Sequence, residues 1–250
     1  MSTALGSPAT GVVVTGGGSG IGRACALALA EVGRPVAVWD VNGAAASSVA
    51  QEVDGFGLEV DMRSLAAVQD GVAATVEALG SVGGLVHAAG VAGPMPVDFI
   101  DDESWDAVLD VNLRGQAYLV RAFLPALRAA NPGSAVVGIA SVEAIVGNGM
   151  IPAYCSSKAG VLGLTRSLAH RLSVDGIRIN AVCPGAIDTP MLAPLLAIPE
   201  ARKRLEERVP MGRVAQPMEI AKVVRFLLSD EAGYMTGSSV VVDGGMTAVN

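Results

Sequence analysis

The chain has 250 residues, 51% of them hydrophobic and 16% charged, which excludes a disordered polymer; 31 glycines without a Gly-X-Y period exclude collagen. A net charge of −7 argues against nucleic acid as partner, because the densest basic stretch (Arg202, Lys203, Arg204, Arg208) is interleaved with Glu206 and Glu207 and reads as a solvated helix face. Three cysteines without CxxC spacing and two scattered histidines, His87 and His170, suit a reducing compartment and give no metal site, so a cytoplasmic protein is expected; Met1 to Thr10 lacks the features of a signal peptide, and no uncharged apolar run reaches membrane-spanning length.

Apolar β-branched runs alternate with helical patterns from the start. Strands are predicted at Gly11–Thr15, Val36–Asp40, Gly57–Val60 and Leu85–Ala88, separated by helices over Gly20–Val32, Ala44–Val53 and Ser64–Leu79. A long helix over Trp105–Ala130 then contains Asn112 and Pro125. It is followed by strands at Ala135–Ile139, Ile177–Val182 and Ser239–Val242, with helices at Tyr154–Val174 and Met218–Leu228. Strand–helix–strand at this pace implies right-handed crossovers and a parallel sheet of seven strands covered on both faces. One doubly wound α/β domain over residues 1–250 is expected, with an irregular lid at about 188–212.

Thr15-Gly16-Gly17-Gly18-Ser19-Gly20-Ile21-Gly22 lies between the first strand and the first helix. Glycines there let the backbone turn sharply and approach a pyrophosphate, and the helix N-terminus presents amides to it. Asp40 ends the second strand, where a carboxylate accepts from ribose hydroxyls and repels a 2′-phosphate; Ser19 and Val41 offer no cation there, which points to NAD rather than NADP. The alternative is that Asp40 caps the next helix. Asp61 also ends a strand, and either meets the adenine edge or caps the helix near Ser64.

Tyr154 and Lys158 are four apart on a helix and share a face. An ammonium beside a phenol lowers its pKa, so that it can take a proton from an alcohol or return one to a ketone. YxxxK alone is weak evidence. Ser141 supports it, because it follows an apolar strand and so lies at the carboxyl edge of the sheet, where ligands of open α/β sheets bind.

Together these elements resemble the short-chain dehydrogenase/reductase family over essentially the whole chain. The resemblance rests on Thr15-Gly16-x-x-x-Gly20-Ile21-Gly22, Asp61, Ala89-Gly90, Asn112, Ser141, Tyr154-x-x-x-Lys158, Pro184-Gly185 with Thr189, and Val242-Asp243-Gly244-Gly245. It implies a Rossmann-type fold, Tyr154 as general acid/base, Lys158 on the nicotinamide ribose, Ser141 on the carbonyl, and Asn112 anchoring a water in a proton relay. It also implies that Ile187 and Thr189 hold the carboxamide, and that the protein is a homotetramer. The family often has Asn-Asn-Ala-Gly where this chain has His87-Ala88-Ala89-Gly90; other hydrogen bonds are expected to replace the lost amides, with His87 a structural strand-end residue.

Specificity is expected from Val91–Ile100, Val142–Ile151 and Met191–Pro210, where Met191 and Leu192 wall a mostly apolar substrate unless these residues only pack the lid on the body. Glu143 is either a solvated loop carboxylate or a contact to a polar substrate group. The leading expectation is an NAD-dependent secondary alcohol dehydrogenase or ketone reductase. The alternatives are a 3-oxoacyl-thioester reductase, or a non-catalytic NAD-binding sensor that kept the fold.

Overall fold

The computed structural model describes residues 8–249, so the expectation about Met1 to Thr10 falls largely outside the described residues. Seven strands, β1 (Gly11–Thr15), β2 (Val36–Asp40), β3 (Phe56–Glu59), β4 (Val82–His87), β5 (Ala135–Ile139), β6 (Arg178–Pro184) and β7 (Ser239–Val242), form one sheet in the order β3-β2-β1-β4-β5-β6-β7. Every pairing is parallel. The helices are α1 (Gly20–Ala30), α2 (Gly43–Glu52), α3 (Leu65–Leu79), α4 (Asp102–Leu109), α5 (Gly115–Ala129), α6 (Glu143–Val146), α7 (Pro152–Leu172), α8 (Ala193–Leu196), α9 (Pro199–Glu207) and α10 (Pro217–Leu227). Among the described residues no helix is long and apolar enough to cross a membrane.

Continuous apolar strands are explained by burial on both faces. Val12 and Val14 of β1 point to one side, with Val36, Val38 and Val137, under the Ala/Leu face of α1 and the Ile220, Val224 and Leu227 stripe of α10. Val13, Ala37, Trp39, Leu85 and Val136 point to the other, under Leu119, Phe123 and Leu127 of α5 and Leu172 of α7. Trp39 packs at 5.4 Å from Phe123 and donates its indole N–H to Thr75 Oγ1 at 3.1 Å, so a buried donor is satisfied. Strand order reverses between β1 and β4, which opens a crevice at their carboxyl ends.

Two expected elements differ. The helix over Trp105–Ala130 is broken by one π-helical turn, Asp110–Arg114, between α4 and α5; the extra residue leaves the apolar stripe nearly in phase, so periodicity does not reveal it. β4 starts at Val82, ahead of Leu85, because Gly83 and Gly84 lie in the strand: a Cβ on Gly84 would meet Val12 at 2.8 Å, and one on Gly83 would run into Thr10. Glycine lowers the local strand signal where neighbouring strands need the space.

Candidate active site at the carboxyl edge of the sheet

The glycine loop leaves β1 at Thr15. Gly16 takes φ +63° with its Cα against Ala89, where a side chain would approach the Ala89 backbone at 2.6 Å, and a Cβ on Gly22 would run into the Gly16 carbonyl. Ser19 is the N-cap of α1, is exposed, and makes no side-chain cap; no acidic residue sits in the first turn. The first-turn amides and the positive end of the helix therefore remain available to an anion, which fits the pyrophosphate of a dinucleotide. Ile21 packs into the core below the loop, and Gly20 (φ +51°) faces Thr189, so the loop after β6 reaches the same place.

Asp40 does not cap α2; Asn42 does, accepting from Ala45 N at 3.1 Å. The Asp40 carboxylate accepts Gly18 N at 2.9 Å and Asn42 N at 2.9 Å, which fixes it beside the phosphate loop at the end of β2. Asp61 does not cap α3 either, since Ser64 accepts Ala67 N at 3.1 Å. Its carboxylate is gripped by Arg63, Nη2 to Oδ2 at 2.7 Å, and that bond holds the carboxyl below its ordinary value.

Tyr154, Lys158 and Ser141 converge. Pro at the first position of α7 starts the helix, and Tyr154 and Lys158 follow one turn apart on the face turned to β5. Lys158 is buried, with Nζ 5.6 Å from the Tyr154 ring centre and donating to the Ile139 carbonyl at 2.7 Å. Burial lowers its pKa to about 8. The Tyr154 phenol is raised above its ordinary value, first by burial, with the Ser141 hydroxyl opposing the shift and Glu143 adding to it. The expected lowering of the phenol by the ammonium is thus not what governs Tyr154: desolvation comes first, and the Lys158 ammonium is bonded to the Ile139 carbonyl. Ser141 Oγ accepts Glu143 N at 3.1 Å, which leaves its own proton free to donate.

Asn112 lies in the π turn with both side-chain amide protons committed: Oδ1 accepts Val91 N at 2.8 Å, and Nδ2 donates to Val91 O and Ser157 Oγ, both at 3.0 Å. A Cβ on Gly90 would lie 3.3 Å from Asn112 Oδ1 and 3.4 Å from Lys158 Nζ, so Ala89-Gly90 passes directly over both. His87 supplies the replacement bonds expected for the missing amides. Nδ1 pairs with Thr15 Oγ1 at 3.0 Å and Nε2 with the Val111 carbonyl at 3.1 Å, joining β1 to the π turn. Only a neutral ring with its proton on Nε2 satisfies both, since Thr15 then donates to Nδ1. Burial, helped by the Lys158 charge, drives its pKa down to about 3.

At the far side, Pro184 ends β6 with its carbonyl accepting Val142 N at 3.0 Å, and Gly185 N donates to Val242 O at 3.0 Å; a Cβ on Gly185 would meet Asp243 at 2.9 Å. Asp243 accepts from Gly245 N, Thr247 N and Thr247 Oγ1, tying down the C-terminal segment. Ile187 is buried and bridges to Ala215, and the Thr189 hydroxyl donates to the Ile187 carbonyl at 3.4 Å. The stretch beyond carries α8 and α9; Met191 is exposed and Leu192 half-buried, so the residues expected to wall a substrate are only partly packed on the body. The roles of the Thr15 side chain and of the Val91 backbone leave no mark in the sequence, because their partners His87 and Asn112 are distant in the chain.

A family model described as enoyl-(acyl carrier protein) reductase matches residues 16–247. The 2-(S)-hydroxypropyl-CoM dehydrogenase 3 of Xanthobacter autotrophicus is 37% identical over 247 residues, covering 95% of this chain and 96% of that protein. The 3-oxoacyl-(acyl-carrier-protein) reductase of Thermotoga maritima is 37% identical over 240 residues, covering 94% and 96%. Among solved structures, the 3-ketoacyl-(acyl-carrier-protein) reductase of Brucella melitensis complexed with NADH superposes with TM-score 0.89 at 29% identity, covering 96% of this chain and 99% of that one.

Proposed function

Since this chain belongs to the short-chain dehydrogenase/reductase family, and is an oxidoreductase on that footing, we propose that it interconverts a secondary alcohol and a ketone with NAD(H), in one binding and catalytic domain. The observation that carries this reading is the convergence of Tyr154, Lys158 and Ser141, joined through Ala89-Gly90 to the glycine loop that precedes the uncapped α1.

When bound, the nicotinamide cofactor supplies the hydride acceptor or donor. Gly16, Ser19, Gly20 and Ile21 would hold its pyrophosphate, Asp40 the adenosine ribose and Asp61 the adenine, while Ala89-Gly90 with Pro184, Gly185, Ile187 and Thr189 would hold the nicotinamide end. The placement of Asp40 favours NAD over NADP, because its charge sits where a 2′-phosphate would need a cation, and Val41 is exposed and apolar. Ser141 donates to the substrate oxygen, and Tyr154 Oη takes the alcohol proton or returns it to the ketone. Lys158 is the buried cation that stabilises the phenolate as it forms, and Asn112 holds the Val91 segment over the pair. Met191 and Leu192 contribute an apolar wall.

Changing Tyr154→Phe removes the proton carrier alone. Turnover of secondary alcohols with NAD is expected to fall by about 10²–10⁴-fold with NADH affinity retained. Retained turnover would overturn the role of Tyr154, and wild-type NADH binding without turnover of any alcohol or ketone would favour a sensor.

A second reading, reduction of 3-oxoacyl thioesters, is favoured by the Thermotoga and Brucella relatives; preference for NADPH and such thioesters would select it. The long α7 and the C-terminal segment suit a homotetramer, in a cytoplasmic protein without nucleic acid or membrane partner.

A further inference from the structure

Glu143 is the first residue of α6, two residues beyond Ser141, and its own backbone amide is bonded to the Ser141 hydroxyl. Its carboxylate is half-served. Oε1 accepts the Asn148 side-chain amide at 3.3 Å, whereas Oε2 is buried with no partner. Asn148, which holds Oε1, also accepts the Cys155 thiol on its backbone carbonyl at 3.7 Å, so this loop and its carboxylate are tied to the start of α7, next to Tyr154 in the chain. A buried carboxylate oxygen without a donor is a standing deficit, and an incoming donor relieves it. Asn148 serves Oε1 alone, and the neighbouring Ile145, Val146 and Met150 are apolar and exposed.

We infer that Glu143 is a specificity-determining residue, whose carboxylate takes a hydrogen-bond donor, a hydroxyl or an ammonium, carried on the substrate next to the reacting carbon. The inference deepens the alcohol–ketone reading and rests on it. Ser141 Oγ accepts the first amide of α6 at 3.1 Å, so a substrate oxygen held by that hydroxyl would bring the adjacent carbon towards this helix. Donor-bearing substrates such as vicinal diols and amino alcohols gain a charge-assisted bond there. Substrates with an anion in that position meet like charge.

The test compares 2-butanol, 2,3-butanediol, 1-amino-2-propanol and 3-hydroxybutyrate with NAD, in wild type, Glu143→Gln and Glu143→Leu. In wild type, kcat/KM for the diol or the amino alcohol is expected at least about tenfold above 2-butanol, with 3-hydroxybutyrate below it. Glu143→Leu is expected to bring these ratios close to one. Glu143→Gln, which keeps an acceptor but not the charge, is expected to abolish an ammonium preference and keep much of a hydroxyl preference. Binding of the same four compounds to the NADH complex, followed by nucleotide fluorescence, reads the preference without turnover, and an NADH-induced thermal shift equal to wild type certifies that each variant is folded. A wild-type preference for 2-butanol or 3-hydroxybutyrate, or ratios unchanged in Glu143→Leu, would overturn the inference. Binding preference lost in Glu143→Leu while no compound is turned over would support it and count against the redox reading instead.

Discussion

His87 is uncharged at neutral pH because both ring nitrogens are committed inside the protein, one to Thr15 and one to the Val111 carbonyl. Its folded pKa of about 3 lies below the ordinary 6.5. Between those values the unfolded chain binds a proton that the native chain does not, so stability falls as pH drops from about 6.5 towards 3, by up to about 1.4 kcal/mol per pH unit. Urea unfolding across pH 4–7 should therefore be less pH-dependent in His87→Asn than in wild type; an equal slope would show that other groups carry the acid sensitivity. His87→Leu should also be less stable at pH 7 by about 1–3 kcal/mol, since the Val111 carbonyl and Thr15 hydroxyl lose their partner. Asp40 makes the second prediction at this scale. Asp40→Ala should weaken NAD relative to NADP by about tenfold or more in kcat/KM, because it removes both the proposed ribose acceptor and the charge opposed to a 2′-phosphate. An unchanged cofactor ratio would remove Asp40 from the cofactor's recognition.

The α1 element depends on a backbone contact as much as on its own Ala and Leu residues. Gly22→Ala favours the helix by propensity, yet its Cβ would press on the Gly16 carbonyl and displace the glycine loop. Thermal unfolding of that variant is expected to show a loss of about 1–3 kcal/mol together with weakened NADH binding; a more stable variant with normal affinity would contradict the contact. Elements of this sort were legible in the chain: seven apolar runs, the loop between Thr15 and Gly22, and the Tyr154/Lys158 pair all follow from residue pattern and spacing. What was not legible is non-local. The π turn at Asp110–Arg114 leaves the periodicity of its helix almost intact. The Thr15–His87 bond joins residues 72 apart. The cap residues Asn42 and Ser64, rather than Asp40 and Asp61, are settled by backbone direction at each helix entrance, to which composition is blind.

Across the whole molecule, α7 carries Gly160, Gly163 and Ser167 towards a groove of about 420 Å³ shared with Leu109, Leu113 and Ala117. Nothing lies within 4 Å of a Cβ added to Gly163, so a larger side chain there costs the single chain little. If α7 is an assembly face as proposed, Gly163→Arg should lower the sedimentation mass from a tetramer towards smaller species while far-UV circular dichroism stays constant. A wild-type monomer, or an unaltered tetramer in the variant, would remove α7 from the assembly.

The strand order also bears on how the chain can assemble as it is made. β1 pairs with β2, which pairs with β3, so that these three can assemble as soon as the first 60 residues or so exist. β4 then closes on the other side of β1, and β5, β6 and β7 add outward in the order in which they are made. Apart from β4, which returns to β1, each new strand meets an edge that its predecessor has just laid down, and parallel pairing across long crossovers is slow. Until β5 is synthesised, the edge presented is that of β4, where Leu85 and Val86 are buried in the finished protein. A chain stalled at that length displays an unpaired apolar edge, and there co-translational aggregation, or rescue by a chaperone, has its natural target.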